Sequence, residues 1–149
     1  MTHRFLLDVM LGKLVTYLRM CGYDTLYAQE EEIEADDVIS ERAASTGRTL
    51  VTRDRALARQ TDNAILLTSR EIENQLAELH DHGISIELST HPERCSVCNG
   101  RIKTIDIEQR PEHAPDTVSL IWQCRECDQY FWKGSHWARV QEVLSTIGV

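Results

Sequence analysis

Four of the five cysteines fall in two Cys-x-x-Cys pairs, Cys95-Ser96-Val97-Cys98 and Cys124-Arg125-Glu126-Cys127, with a spacer of twenty-five residues between them. A short pair of this kind presents two thiolates from one tight turn, and two such turns complete a tetrahedron around a zinc ion at Zn–S distances of about 2.3 Å. The spacer is long enough for the hairpins of a zinc ribbon. An odd total and the pairwise grouping argue against a disulfide framework and for a metal in a reducing compartment. Four protein ligands leave no position open to water, so this Zn²⁺ is assigned to folding. Cys21 stands apart at a helix end and reads as a small packing residue.

The rest of the 149-residue chain is ordinary globular material, with 42% hydrophobic and 27% charged residues. No run approaches the ~20 apolar residues needed to cross a bilayer, and the N-terminal apolar run is too short for a signal-peptide core, which places the protein in the cytoplasm with no membrane partner. A formal net charge of −8 argues against a long nonspecific grip on nucleic acid, while leaving room for a local basic groove. Much of the acidity lies in Glu30-Glu31-Glu32 and Glu34-Ala35-Asp36-Asp37, which suits a cation site or a solvated loop.

Arg4-Phe5-Leu6-Leu7-Asp8 has the form of a short buried parallel strand ending in a carboxylate. Leu11, Leu14, Val15 and Leu18 fall at helical spacing, and Gly22 supplies a stop. A second strand follows over 24–28, then a helix capped by Asp36 or Asp37 that stops at Gly47. A third strand over 48–52 leads into Arg53-Asp54 and a helical stretch through Gln60. A fourth strand begins at Ala64, and Ile72, Leu76 and Leu79 mark a last helix ending near Gly83. Alternating strands and helices imply an α/β fold, a parallel sheet with helices on both faces. After Pro92 the pattern changes to cysteine pairs and alternating Ile102, Ile105 and Ile107, then a closing helix from His136 to Ile147. The expected division is residues 1–88 and 89–149, the second part being the ribbon with its closing helix.

On this reading Asp8 ends the first strand, Asp36 or Asp37 starts a helix, and Asp54 follows the third strand. Ligand sites of parallel sheets form at these carboxyl ends. Carboxylates gathered there repel one another unless a hard cation neutralises them, which predicts Mg²⁺ or Mn²⁺ able to orient water against a phosphoryl group. The alternative is that these aspartates simply cap helices.

Phe5-Leu6-Leu7-Asp8, Leu11-Gly12-Lys13-Leu14, the run Leu18 to Thr25, and Leu50-Val51-Thr52-Arg53-Asp54 with Leu57 resemble the prokaryotic family related to the C-terminal RNase domain of the mutator exonuclease mut-seven. The second half resembles it through Arg94-Cys95-x-x-Cys98-Asn99, Cys124-x-x-Cys127 and Trp132-x-Gly134-Ser135-His136. The resemblance implies a PIN-like fold with a zinc ribbon, and a hydrolase cleaving single-stranded RNA. It assigns divalent-ion binding and catalysis to Asp8, Asp36 and Asp54. Asp36 is preferred to Asp37 because its distance from Ala43 fits the family's helix, and Asp62 is the nearest candidate for the fourth acidic residue that PIN nucleases use.

Arg53, Arg19 and Lys13 are suited to contact phosphates, and Thr52 to hydrogen-bond the attacking water or a carboxylate. Tyr130, Phe131, Trp132 and Trp137, interleaved with Lys133 and Arg139, have a composition that stacks bases or fills the ribbon core. His136 is a candidate RNA contact or a local hydrogen-bonding group. Two other readings compete with the ribonuclease: a noncatalytic RNA- or ribosome-binding module, and a protein-interaction adaptor.

Overall fold

A computed structural model describes residues 3–88 and 91–147. Phe5, Leu6 and Leu7 in β1 (Arg4–Leu7) are wholly buried, as are Leu50 and Val51 in β3 (Thr49–Thr52), because these strands lie at the centre of a four-stranded sheet. The order is β2-β1-β3-β4, with β2 (Asp24–Tyr27) and β4 (Ala64–Leu66) at the edges and every pairing parallel. Side chains alternate across the sheet, so each strand feeds two cores. Phe5, Leu7 and Val51 meet Leu14 and Leu18 of α1 (Gly12–Met20) and Leu76 and Leu79 of α4 (Ile72–Asp81). Leu6 and Leu50 meet Ile39 and Ala43 of α2 (Asp36–Ser45) and Leu57 of α3 (Arg55–Arg59) on the other face. Helices therefore cover both faces, as the apolar runs predict.

Three helices end where a glycine was read as a stop. After α1, Gly22 N–H bonds Arg19 O and Tyr23 N–H bonds Leu18 O; Gly47 with Arg48 and Gly83 with Ile84 repeat the arrangement behind α2 and α4. Each of these glycines has a positive φ, the left-handed conformation that this helix ending needs. The helix start at α2 differs from expectation. Its N-cap is Ala35, with no side-chain cap, and Asp36 and Asp37 occupy its first turn. The two carboxylates are thus left free of capping duty.

The cysteines lie around a second, antiparallel sheet of order β5-β6-β7: β5 (Ile102–Ile105), β6 (Ile121–Cys124) and β7 (Tyr130–Phe131). Helix α5 (Ser135–Ser145) follows. Helix α5 meets both parts: Val140 and Leu144 are buried in the core on the α1/α4 face, while Trp137 lines a crevice with Trp122, Phe131 and Trp132 of the ribbon. The boundary expected between residues 88 and 89 abuts Ser89 and Thr90, which lie outside the described residues.

A further contact ties the ribbon to the sheet. Strand β2 is an edge, and an unpaired edge presents bare N–H and C=O groups. At Thr25 both are covered by side chains: the N–H donates to Asn99 Oδ1 at 2.9 Å and the C=O accepts from Arg19 Nε at 3.0 Å. Arg19 also donates through Nη1 to Ser96 O and Val97 O, at 3.3 and 3.2 Å, and through Nη2 to Glu30 at 2.8 Å. Asn99 Nδ2 reaches Asp24 Oδ1 at 2.8 Å, and Arg48 Nη1 meets the same oxygen at 2.8 Å. The first cysteine turn is therefore the cover of the β2 edge.

Candidate functional site

The chain runs outward from β1 to β2, then crosses to β3 on the other side of β1, so the sheet reverses its winding between β1 and β3. Crevices form beyond the carboxyl ends of strands at such a reversal. Asp8 follows β1 directly and is 5% exposed. Its Oδ1 accepts from Val9 N–H at 2.8 Å, capping a 3-10 turn over Val9–Leu11, and its Oδ2 accepts from Thr52 Oγ1 at 2.6 Å. Thr52 Oγ1 in turn accepts from Asp54 N–H at 3.0 Å. One hydroxyl thus links the ends of β1 and β3, and Thr52, wholly buried, orients Asp8.

Asp54 caps α3, its Oδ1 accepting from Ala56 N–H at 2.9 Å and Leu57 N–H at 3.3 Å. Asp36 is half-buried at the start of α2, whereas Asp37 is exposed. Partial desolvation, then the negative charges of Asp54, Asp8 and Asp37, raise the Asp36 carboxyl above its ordinary range. Asp36 thus lies within electrostatic reach of Asp8 and Asp54. Asp62 is not brought to this neighbourhood. It is exposed just before β4, beside Asn63, whose side chain bonds Thr49 at the opposite, amino end of β3. Asp62 instead lines a hollow with Asp37, Ser40 and Thr61.

The anticipated cations separate as well. Arg19 is 2% exposed and its donors are held by Thr25, Ser96, Val97 and Glu30, so it is a structural tie and not a phosphate contact. Lys13 is exposed on the first turn of α1 beside Arg70. Arg53 lies between Thr52 and Asp54, half-buried, and its buried Nε has no hydrogen-bond partner. The Nε atoms of Arg48 and Arg110 are in the same condition, so at Arg53 it is the position between Thr52 and Asp54 that suits a phosphate contact.

The thiolate centre is more compact. The ligand atoms of Cys95, Cys98, Cys124 and Cys127 all lie within 4.8 Å of one another, and among the described residues the three aspartates form no comparably tight group. Sγ separations are 3.6 Å for Cys95–Cys127 and 3.5 Å for Cys98–Cys124, against about 3.8 Å for the edge of a tetrahedron with Zn–S bonds of about 2.3 Å. Backbone N–H groups of Val97, Glu126 and Cys127 point at the sulfurs of Cys95 and Cys124. Burial pushes the Cys95 and Cys98 thiols up; at Cys124 it is outweighed by the N–H donors of Cys127 and Glu126, which hold the thiol down. The four cysteines can bind zinc.

Two features of this centre were overlooked in the sequence. Asn99 and Asp128, each the residue after the second cysteine of its pair, have φ of 70° and 65°. Asparagine and aspartate tolerate that conformation better than most residues, so Cys-x-x-Cys followed by Asn or Asp was a readable turn signal. Gly100 leaves room where an added Cβ would lie 2.9 Å from Cys124 Sγ. Phe131, Trp132 and Trp137, each half-buried, line a crevice with Trp122, Met20 and His136. Lys133 Nζ sits 5.2 Å from the Trp137 ring centre.

No helix among the described residues is long and apolar enough to cross a membrane. Comparisons with curated proteins and with solved structures give no match. A family model described as the Mut7-C RNAse domain matches residues 3–144, taking in both the carboxylate crevice and the cysteine turns, and the chain belongs to that family.

Proposed function

We propose that the protein is a cytoplasmic, divalent-metal-dependent ribonuclease that hydrolyses phosphodiesters of single-stranded RNA, with residues 1–88 as its nuclease unit. The observation that carries this reading is the Asp8–Thr52–Asp54 hydrogen-bond chain at the reversal of the sheet, with Asp36 close enough for their charges to raise its carboxyl. Asp8, Asp36 and Asp54 would hold Mg²⁺ or Mn²⁺, since carboxylate oxygens are hard donors and like charges in one crevice favour a cation. Bound there, the ion supplies an activated water and charge neutralisation for in-line displacement at phosphorus. Thr52 fixes the Asp8 carboxylate through its hydroxyl. Arg53 brings a half-buried guanidinium to a strand end that otherwise repels phosphate, and Lys13 adds a second cation. The four cysteines would hold a structural Zn²⁺, which their local turns, spacing and N–H···S bonds suit.

One observation favours the noncatalytic RNA-binding reading: among the described residues Asp8, Asp36 and Asp54 form no ligand group as tight as that of the four cysteines. Incubation of the zinc-loaded protein with labelled single-stranded RNA and Mn²⁺ or Mg²⁺, beside an Asp8→Asn/Asp54→Asn protein, separates the two. Cleavage by the unaltered chain alone is the expected result. Equal RNA binding by both proteins, with no cleavage by either, would replace the enzyme with the binding module.

A further inference from the structure

The acidity of the chain is unevenly placed. Residues 1–88 carry nine Lys and Arg against sixteen Asp and Glu, whereas residues 89–149 carry seven against eight. Within the ribbon, three of those cations share one face. Arg125 N–H donates to Arg101 O at 2.8 Å, so the two arginines lie opposite each other across neighbouring strands, and Lys103 is two residues further along the strand of Arg101. Lys103 is registered with Gln123, and Gln123 with Tyr130. Residues paired across a sheet, or two apart along a strand, share a face. The other face carries Ile102, Trp122, Cys124 and Phe131 and turns inward.

Arg101, Lys103 and Arg125 are all exposed, and none has a carboxylate within 4.0 Å among the described residues. Like charges facing each other across strands destabilise a sheet. Glu126, next to Arg125 in sequence, forms no ion pair with any of the three among the described residues. Half-buried Tyr130 adds an aromatic ring at the edge of the patch, with His113 against it at 6.1 Å.

We propose that this face of the ribbon, Arg101, Lys103 and Arg125 with Gln123 and Tyr130, is a docking platform for single-stranded RNA. The cations grip successive phosphates and Tyr130 stacks a base, the combination by which single strands are held without sequence readout. The inference rests on the proposed action on RNA and assigns the grip to residues remote in sequence from the carboxylates.

The test uses the full-length, zinc-loaded chain in an Asp8→Asn background, binding a labelled oligouridylate across a salt series. Each phosphate contact to a single strand contributes about 0.7 to the slope of log affinity against log salt. The triple variant Arg101→Ala/Lys103→Ala/Arg125→Ala should lower that slope by about 2 and weaken binding about a hundredfold at 0.1 M salt, with zinc content and melting temperature retained. Lys103→Gln alone should lower it by about 0.7, which serves if the triple variant fails to fold. Tyr130→Ala should weaken binding about tenfold at unchanged slope. An unchanged slope in the variants overturns the platform, and if the unaltered protein still cleaves RNA the ribonuclease reading survives. No RNA binding by the parent protein removes both. Competition by polyglutamate as effective as that by RNA, with no effect of Tyr130→Ala, would make the surface a site for an acidic protein and overturn the proposal.

Discussion

The thiolate and carboxylate centres are assembled in different ways. Each cysteine turn is defined within about six residues, by two sulfurs, the N–H groups that point at them and a left-handed residue behind them. The carboxylates come from the end of β1, the start of α2 and the start of α3, and only the winding of the sheet brings Asp8 and Asp54 together across 46 positions of sequence. The first centre specifies itself and then folds a small sheet; the second is a product of a sheet folded by its own two cores. Loss of metal should consequently unfold the one region and leave the other standing.

That difference is open to direct tests, and zinc removal has the largest expected effect. Structural zinc binds with apparent free energies of about 10 kcal/mol or more, so chelation or Cys124→Ser should abolish amide protection in β5, β6 and β7. Strands β1 and β3, wholly buried over residues 5–7 and 50–52 between two helical layers, should keep theirs in hydrogen exchange. The Thr25 amide, covered by Asn99 of the first cysteine turn, should open with the ribbon. Joint loss of protection in β1 and β3 would show that the two regions fold as one unit.

The carboxylate end should behave oppositely, losing activity without losing fold. Asp8→Asn should reduce metal-dependent cleavage by more than the ~10–100-fold typical of a group that only supports a ligand, with a melting temperature close to that of the parent. Thr52→Val, which removes the hydroxyl held by Asp8 Oδ2, should fall inside that range and weaken Mn²⁺ binding in calorimetry. A Thr52 variant as inactive as Asp8→Asn would move the hydroxyl from a support to a participant.

What could be read in the sequence follows the same division. The cysteine spacing, the strand–helix alternation and the helix stops at Gly22, Gly47 and Gly83 are local signals, and the structure reproduces them. Sequence reasoning failed where distant segments meet. Arg19 looked like a free cation beside the crevice because nothing local announces that Ser96 and Val97 will take its donors from 77 and 78 positions away. Asp62 is the acid nearest to Asp54 in the following sequence, but α3 carries the chain back to the amino end of the strands before Asp62 is reached. That Val140 and Leu144 of helix α5 join the α1/α4 core, while its Trp137 stays beside the ribbon aromatics, is likewise invisible in the local sequence. Thr52 is legible because it stands two residues before Asp54, but its partner Asp8 is a matter of register.

The seam between the regions sharpens the comparison further, because it is where they stop being independent. Arg19→Met would leave two knuckle carbonyls, the Thr25 carbonyl and Glu30 without their shared donor. Such a loss from a buried network costs about 3 kcal/mol. It should lower the melting temperature and expose the β2 edge, while RNA affinity at a permissive temperature stays as it was. A large loss of RNA affinity with stability retained would restore Arg19 to the phosphate contacts.

Acid acts on the same seam with a smaller effect. At Asp24 burial pushes the carboxyl up, but hydrogen bonds from Arg48 and Asn99 and the charges of Arg48 and Arg94 outweigh it, holding the group at about 2 against an ordinary 3.8. A carboxylate whose pKa is depressed by folding contributes stability that is complete above the unfolded value and is lost as pH falls toward the folded one. The Asp24 contribution is therefore whole above about pH 4 and disappears between pH 4 and pH 2, amounting to about 1–2 kcal/mol after allowance for solvent screening. Asp24→Asn should flatten that limb of the stability curve and lower stability at neutral pH, since it leaves Arg48, 7% exposed, without its charge partner. Thiolate ligands are themselves protonated in acid, which releases zinc, so the measurement belongs on amides of β1 and β3, whose exchange reports the sheet and not the ribbon. An acid limb identical in the parent and the Asp24→Asn protein would assign the loss to other carboxylates and leave the seam without a part in it.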